Sequence, residues 1–262
     1  MSNERDDVSN CWAAPTSAPR DEELPPNAID LDRVNDVVLN ALPSATAAMR
    51  NANTGTIKRQ LIPIYLKMDN ELASAGEEVA CRAGCSYCCY YHVAVTAVEA
   101  LALAEHLHGL PQTKRDHITR KLHETAQQVA PLSEAEYIHT NIPCAFLEEG
   151  RCSVYEARPV ACRGFNSVSV DPCRVAFEDP HSTDPMTFAP DRQAVNEAYK
   201  SVMLAAQHRA GCDATTYEMH TAVAEALTNS SAMKRWKKGK VAFTTVADRT
   251  SLQERLERQG GS

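Results

Sequence analysis

CRAGCSYCC, residues 81–89, places four cysteines in nine residues, two of them adjacent. A soft divalent metal or an iron–sulfur cluster needs several thiolates converging on one point. Spacing of the form C-x3-C-x2-C lets one tight loop present three of them, and local closure keeps the loop entropy small. The adjacent pair Cys88–Cys89 adds a constraint. Neighbouring side chains on an extended backbone point to opposite sides, so the two either serve separate centres or divide into one ligand and one packed or redox thiol.

Eight of the ten cysteines (Cys81, Cys85, Cys88, Cys89, Cys144, Cys152, Cys162 and Cys173) lie between residues 81 and 173, while Cys11 and Cys212 stand apart and read as ordinary thiols. A four-thiolate zinc site or an oxidised four-iron cluster carries a formal −2, which in a buried setting calls for donors and positive charge. Arginine stays charged when buried, so Arg158 and Arg163, with Arg82, are expected to contact and tune the centre. His92 is near enough to substitute as a ligand, although a hydrogen-bonded structural role is the expectation. Tyr87, Tyr90 and Tyr91 read as packing around the site.

The flanking chain is that of a soluble helical protein. No stretch approaches the ~20 apolar residues of a membrane helix. The opening MSNERDDVSNCW lacks a basic n-region and an apolar h-region, which predicts no signal peptide and a cytoplasmic, bacterium-like setting. Thiols stay reduced there, so the cysteines read as ligands rather than disulfides. The net charge of −7 argues against general nucleic-acid binding. Residues 1–29 are acidic, proline-rich and poor in large apolar side chains, and are expected to be disordered. Residues 233–262 carry eight bases against three acids and read as a solvated basic tail, in which Trp236 offers a stacking surface to an anionic partner.

Between these tails the pattern is helical. Asp30 caps a stretch bearing Leu31, Val34, Val38 and Leu42 that is expected to end at Pro43. A second stripe runs Ile57, Leu61, Tyr65, Met68 and Leu72, with Pro63 kinking it or delaying its start. YYHVAV reads as extended. Thr96 with Glu99, and Ser133 with Glu136, form capping boxes, and Thr215 with Glu218 is read the same way. A further helix begins near Thr113. CAFLEEGRC, residues 144–152, predicts a small hairpin about a Glu-Glu-Gly turn, and residues 174–190 read as loop before an alanine-rich helix opens at Asp191.

The first cluster is followed by CAFLEEGRCSVYEARPVACR, residues 144–163. Together they resemble the cysteine-cluster family of zinc- or iron-chelating proteins, the CxxCxxCC or YkgJ type. Its second segment, C-x-F-L-x-x-G-x-C-x-[IV]-Y-E-x-R-P-x-x-C-R, is matched by Cys144, Phe146, Leu147, Gly150, Cys152, Val154, Tyr155, Glu156, Arg158, Pro159, Cys162 and Arg163. The resemblance spans roughly 81–173 and implies chelation by about eight cysteines. Flagellin lysine N-methylases are similar in this region, which implies iron–sulfur-dependent methyl transfer to a protein substrate in one branch. C81-x3-C85-S-Y-C88 also satisfies the C-x3-C-x-aromatic-C pattern of radical S-adenosylmethionine enzymes. Their repeating β/α barrel is not indicated, because capped helices follow. A third reading is a structural zinc interaction module, in which metal contributes about 10–16 kcal/mol of folding energy.

The expectation is therefore a mainly α fold, a compact helical domain over 30–232 around an irregular cysteine-rich centre with a small β-hairpin. The cofactor is an iron–sulfur cluster (4Fe–4S) or zinc, with S-adenosylmethionine as a possible co-substrate. Cys81, Cys85 and Cys88 take Cys162 as the fourth ligand, and Cys89, Cys144, Cys152 and Cys173 complete a second centre or a supporting shell. No membrane or nucleic-acid partner is expected, and a protein partner or substrate stays open.

Overall fold

The computed structural model describes residues 29–76, 78–246 and 248–250. The expected disorder before residue 29, Cys11, and the last twelve residues lie outside the described residues. The fold is mainly α, as expected. Ten α-helices among the described residues surround two small sheets.

Helix α1 (Leu31–Asn51) starts at Asp30, whose carboxylate accepts from the Arg33 N–H, and runs straight past Pro43. The sequence stop at that proline is overridden by packing. Val37, Ala41, Leu42, Ala45 and Met49 on either side of it are buried, and burying such a face outweighs one lost helical hydrogen bond. Helix α2 (Ile57–Ser74) likewise contains Pro63 and buries the predicted stripe. Arg33 joins both to α8 (Pro190–Arg209), with 2.9 Å ion pairs to Glu71 and Asp191. Arg50 at the far end of α1 donates to the Arg209 carbonyl, so α1 and α8 run parallel.

Strand β1 (Ala94–Thr96) leads into α3 (Ala97–His108), and two of the three expected capping boxes are present, at Thr96–Glu99 and at Ser133–Glu136. Helix α4 (Gln112–Val129) precedes the short α5 (Glu134–Ile138). The predicted hairpin is β2 (Leu147–Glu148) with β3 (Arg151–Cys152). Its two-residue turn has Glu149 and Gly150 at φ 48° and 75°, the left-handed pair that a tight hairpin requires. Helices α6 (Val160–Gly164) and α7 (Asp171–Glu178) follow, so part of the segment read as loop from 174 is helical.

The reading at 215–218 is corrected. Residues Thr216–Glu218 form β4, which pairs antiparallel with β1 and with β5 (Asp248–Thr250). Glu218 is itself the N-cap of α9 (Met219–Thr228), accepting from the His220 and Thr221 N–H groups. The core also continues beyond residue 232. Trp236 on α10 (Ala232–Lys237) is fully buried and donates from its indole to Gln207 Oε1 at 2.8 Å. Ala242 and Phe243 are buried as well. Trp236 is therefore core, with no ring face left for an anionic partner, while Lys237 caps α1 by donating to the carbonyls of Met49 and Arg50. No described helix is long and apolar enough to cross a membrane.

Candidate metal centre

The first cysteine loop is closed by its own backbone. Cys85 N–H donates to the Arg82 carbonyl and Cys89 N–H to that of Ser86, winding Tyr87–Tyr90 into one 3-10 turn. Ala80 N–H donates to the Ser167 carbonyl and Cys144 N–H to the Cys89 carbonyl, at 2.8 and 2.7 Å. These two bonds dock the loop between the two halves of the second cysteine segment. Tyr87 and Tyr90 pack on Phe177 of α7 and Tyr91 on Phe165. The tyrosines are packing, as expected, although the buried Tyr91 hydroxyl has no hydrogen-bond partner; burial, reinforced by the charges of Cys173, Cys88 and Cys85, pushes its pKa up to about 12.

The thiols fall into two abutting groups. Cys81 and Cys85 line one small cleft with Cys173, Ser167 and Ser169. Cys81 is exposed, yet partial desolvation within the cleft raises its pKa, and Cys88 and Cys85 add to the rise while Ser167 and Arg192 oppose it. Burial raises Cys173 too, reinforced by Cys81, Cys85 and Cys88. On the other side, burial lifts Cys162 well above the usual thiol value, with Cys144, Cys88 and Cys152 adding to the effect and Arg158 opposing it. Cys152 is raised by burial and by Cys144 and Cys88. Cys88 belongs electrostatically to both groups. Its hydrogen bond to Cys89, then burial, then the Cys89 charge raise it furthest. Cys162, expected with Cys81, Cys85 and Cys88, is placed within electrostatic reach of Cys144, Cys88 and Cys152, while Cys173 shares the cleft of Cys81 and Cys85. Cys212 is buried elsewhere, near Lys237 and Asp213.

The arginines divide. Arg158 lies 3.7 Å over the Tyr155 ring, within electrostatic reach of Cys88, Cys152 and Cys162. Arg163 turns away. Its guanidinium pairs with Asp69 at 2.7 Å, donates to the carbonyls of Arg158 and Glu156, and lies over Tyr65. It staples α6 to α2. Arg192, on α8, is the cation beside Cys81 and was not expected from the sequence. His92 packs edge-on against Tyr137.

Two further groups escaped the sequence reading. His220 and Glu218, each 1% exposed, form a 2.8 Å ion pair through Nδ1. His220 Nε2 lies 3.4 Å from Cys144 Sγ, with the Ala145 N–H 3.3 Å from the same nitrogen. Burial works against a charge on His220, but Cys144 and Glu218 together lift its pKa to about 10. Burial likewise opposes the Glu218 charge, yet His220 and the backbone donors of Thr221 and His220 hold it at about 2. Nothing in a T-T-Y-E-M-H stretch seventy-six positions from Cys144 signals this contact. Only the pairing of β4 with β1 brings it there.

As the side chains stand, no group of three or more His, Cys, Asp or Glu among the described residues is arranged to hold an ion. Metal binding displaces thiol protons, so the sulfurs gain most by converging when a metal is bound. The donor set fits a thiophilic metal, with eight sulfurs in two adjoining groups and Arg158 and Arg192 to offset charge.

Residues 80–189 match the CxxCxxCC family, described as "Putative zinc- or iron-chelating domain". The segment, under half of the chain, is similar to that domain. Its limits enclose all eight clustered cysteines and stop short of Arg192 and of the Glu218–His220 pair. No curated protein and no solved structure matches the chain.

Proposed function

We propose that this protein chelates a thiophilic transition metal, iron in iron–sulfur form or zinc, in two centres that meet at Cys88–Cys89. The carrying observation is the docking of the 81–89 loop by backbone bonds to Ser167 and Cys144, which puts Cys81, Cys85 and Cys173 around one cleft and brings Cys88 and Cys89 towards Cys144, Cys152 and Cys162. Each group supplies three sulfurs, and Cys88 and Cys89, whose thiols approach one another on the 3-10 turn, supply the balance where the two groups meet. Bound metal would serve as a redox or structural centre. The chain holds it with thiolates, offsets its charge with Arg158 and Arg192, and shields it with Tyr87, Tyr90 and Tyr91.

Anaerobic purification followed by elemental analysis and a 300–700 nm spectrum tests the reading. Broad charge-transfer bands identify iron–sulfur, and a colourless zinc-containing protein identifies zinc. Cys85→Ser and Cys144→Ser should each lose metal while Cys212→Ser keeps it. A folded, metal-empty protein indifferent to added iron or zinc overturns the proposal. Methyl transfer of the flagellin-methylase kind requires S-adenosylmethionine to perturb the loaded protein's spectrum, and an unchanged spectrum removes it.

A further inference from the structure

The groups left over from the cysteine motifs that still face the thiols are Tyr91, Arg192 and the Glu218–His220 pair, and the last is the most completely built. We propose that His220 Nε2 is a metal ligand, joining Cys144, Cys152 and Cys162 in a sulfur–nitrogen centre. This rests on the thiol-centre reading above and deepens it by a residue outside the family match.

The distance comes first. Two ligands of one tetrahedral ion, with metal–sulfur and metal–nitrogen bonds of about 2.3 and 2.05 Å, stand about 3.5 Å apart. Cys144 Sγ and His220 Nε2 are 3.4 Å apart. The two atoms are within hydrogen-bonding reach of one another, and a metal ion bound to both would replace that contact. The long contact from the Ala145 N–H, 3.3 Å, is the one bond that would be given up.

The ring is also held as a ligand ring is held. A metal-binding histidine characteristically gives its other N–H to a carboxylate, which sets its orientation and strengthens its donor nitrogen. Here Nδ1 is tied to Glu218 at 2.8 Å. Glu218 is in turn fixed by the His220 N–H, the Thr221 N–H and the Thr221 hydroxyl. The Met219 N–H donates to the Val93 carbonyl, which anchors this corner to the chain leaving the first cysteine loop. The imidazole face is thus set by sheet and helix cap before any metal arrives.

Charge favours the same arrangement. Three thiolates and a neutral imidazole leave a divalent ion at −1, whereas four thiolates leave −2, and among the described residues only Arg158 is seen acting on Cys152 and Cys162. The smaller net charge costs less to bury. Histidine in place of cysteine occurs in both zinc and iron–sulfur chemistry, so the inference does not depend on which metal is bound.

The test is metal-edge X-ray absorption on the full chain with the metal it carries as isolated, comparing wild type with His220→Gln, His220→Cys and His92→Gln. Imidazole outer-shell scattering should be present in wild type and in His92→Gln and absent in His220→Gln. The last should also hold about half the metal while keeping the wild-type circular dichroism. His220→Cys should recover the metal without the imidazole signature, which a merely structural histidine would not do. Imidazole scattering missing from wild type, or surviving in His220→Gln, overturns the assignment while leaving the thiol centre standing. A metal-free wild type overturns both.

Discussion

Gly164, at the end of α6, is where the fold bears most directly on the candidate centre. A Cβ built there would meet Asn196 on α8 at 2.1 Å from Oδ1, 2.4 Å from Cγ and 2.6 Å from Cβ. The Asn196 Cβ cannot rotate away, and an ordinary carbon–carbon contact needs about 3.5 Å. Gly164→Ala must therefore part α6 from α8 by roughly 1 Å. Overpacking of this kind costs about 1–3 kcal/mol, partly offset by the ~0.4–1 kcal/mol gained when alanine restricts the unfolded chain. The expected loss is about 1–2 kcal/mol. With a urea slope near 2 kcal/mol/M, the midpoint falls by roughly 0.5–1 M. The larger effect is on the centre. Cys162 lies two residues before Gly164 on the same short helix, and metal–ligand distances tolerate only about ±0.2 Å. Zinc affinity, read by competition with a chelator, should drop at least tenfold. Asn196→Gly removes all three clashing atoms, so the double variant should regain metal affinity while staying less stable, since glycine within α8 costs about 1 kcal/mol. A Gly164→Ala protein with wild-type midpoint and wild-type affinity would refute the view that this close approach positions Cys162.

Trp236→Ala should destabilise the protein by about 3–5 kcal/mol, read from denaturant unfolding; a change below about 1 kcal/mol would return α10 to the status of a tail. Because Cys81, Cys88, Cys152, Cys162 and Cys173 all have raised pKa values, their protons are still bound at pH 7 and leave only when metal arrives. Calorimetric titration in buffers of different ionisation enthalpy should find about three or more protons released per metal, with affinity rising as pH rises; release of one or none would contradict thiolate ligation. Glu218 is held at about 2, below its ordinary 4.5, so its contribution is present above pH 4.5 and is lost as pH falls from 4.5 towards 2. That contribution is on the order of 3 kcal/mol. Glu218→Gln should flatten this acid limb in urea midpoints of the metal-free protein, and parallel slopes for variant and wild type would count against the ion pair.

The long helices, two of the three expected capping boxes, the small hairpin within residues 144–152 and the eight-cysteine cluster were legible in the sequence. Each is written in local spacing, in which a few residues settle their own hydrogen bonds or ligand geometry. The sequence misread Pro43 as a stop, Thr215–Glu218 as a capping box and Trp236 as exposed. In each case burial against distant elements decided against the local preference. Which thiols stand together was decided only in three dimensions, because Cys162 and Cys173 are sorted by the docking of the 81–89 loop between them and not by their separation along the chain. The same holds for Arg192, Glu218 and His220. A charge or an imidazole becomes part of a centre by proximity, and here that proximity is created by β4 pairing with β1 and by α8 packing along α1, contacts that leave no mark on the spacing of the residues they bring together.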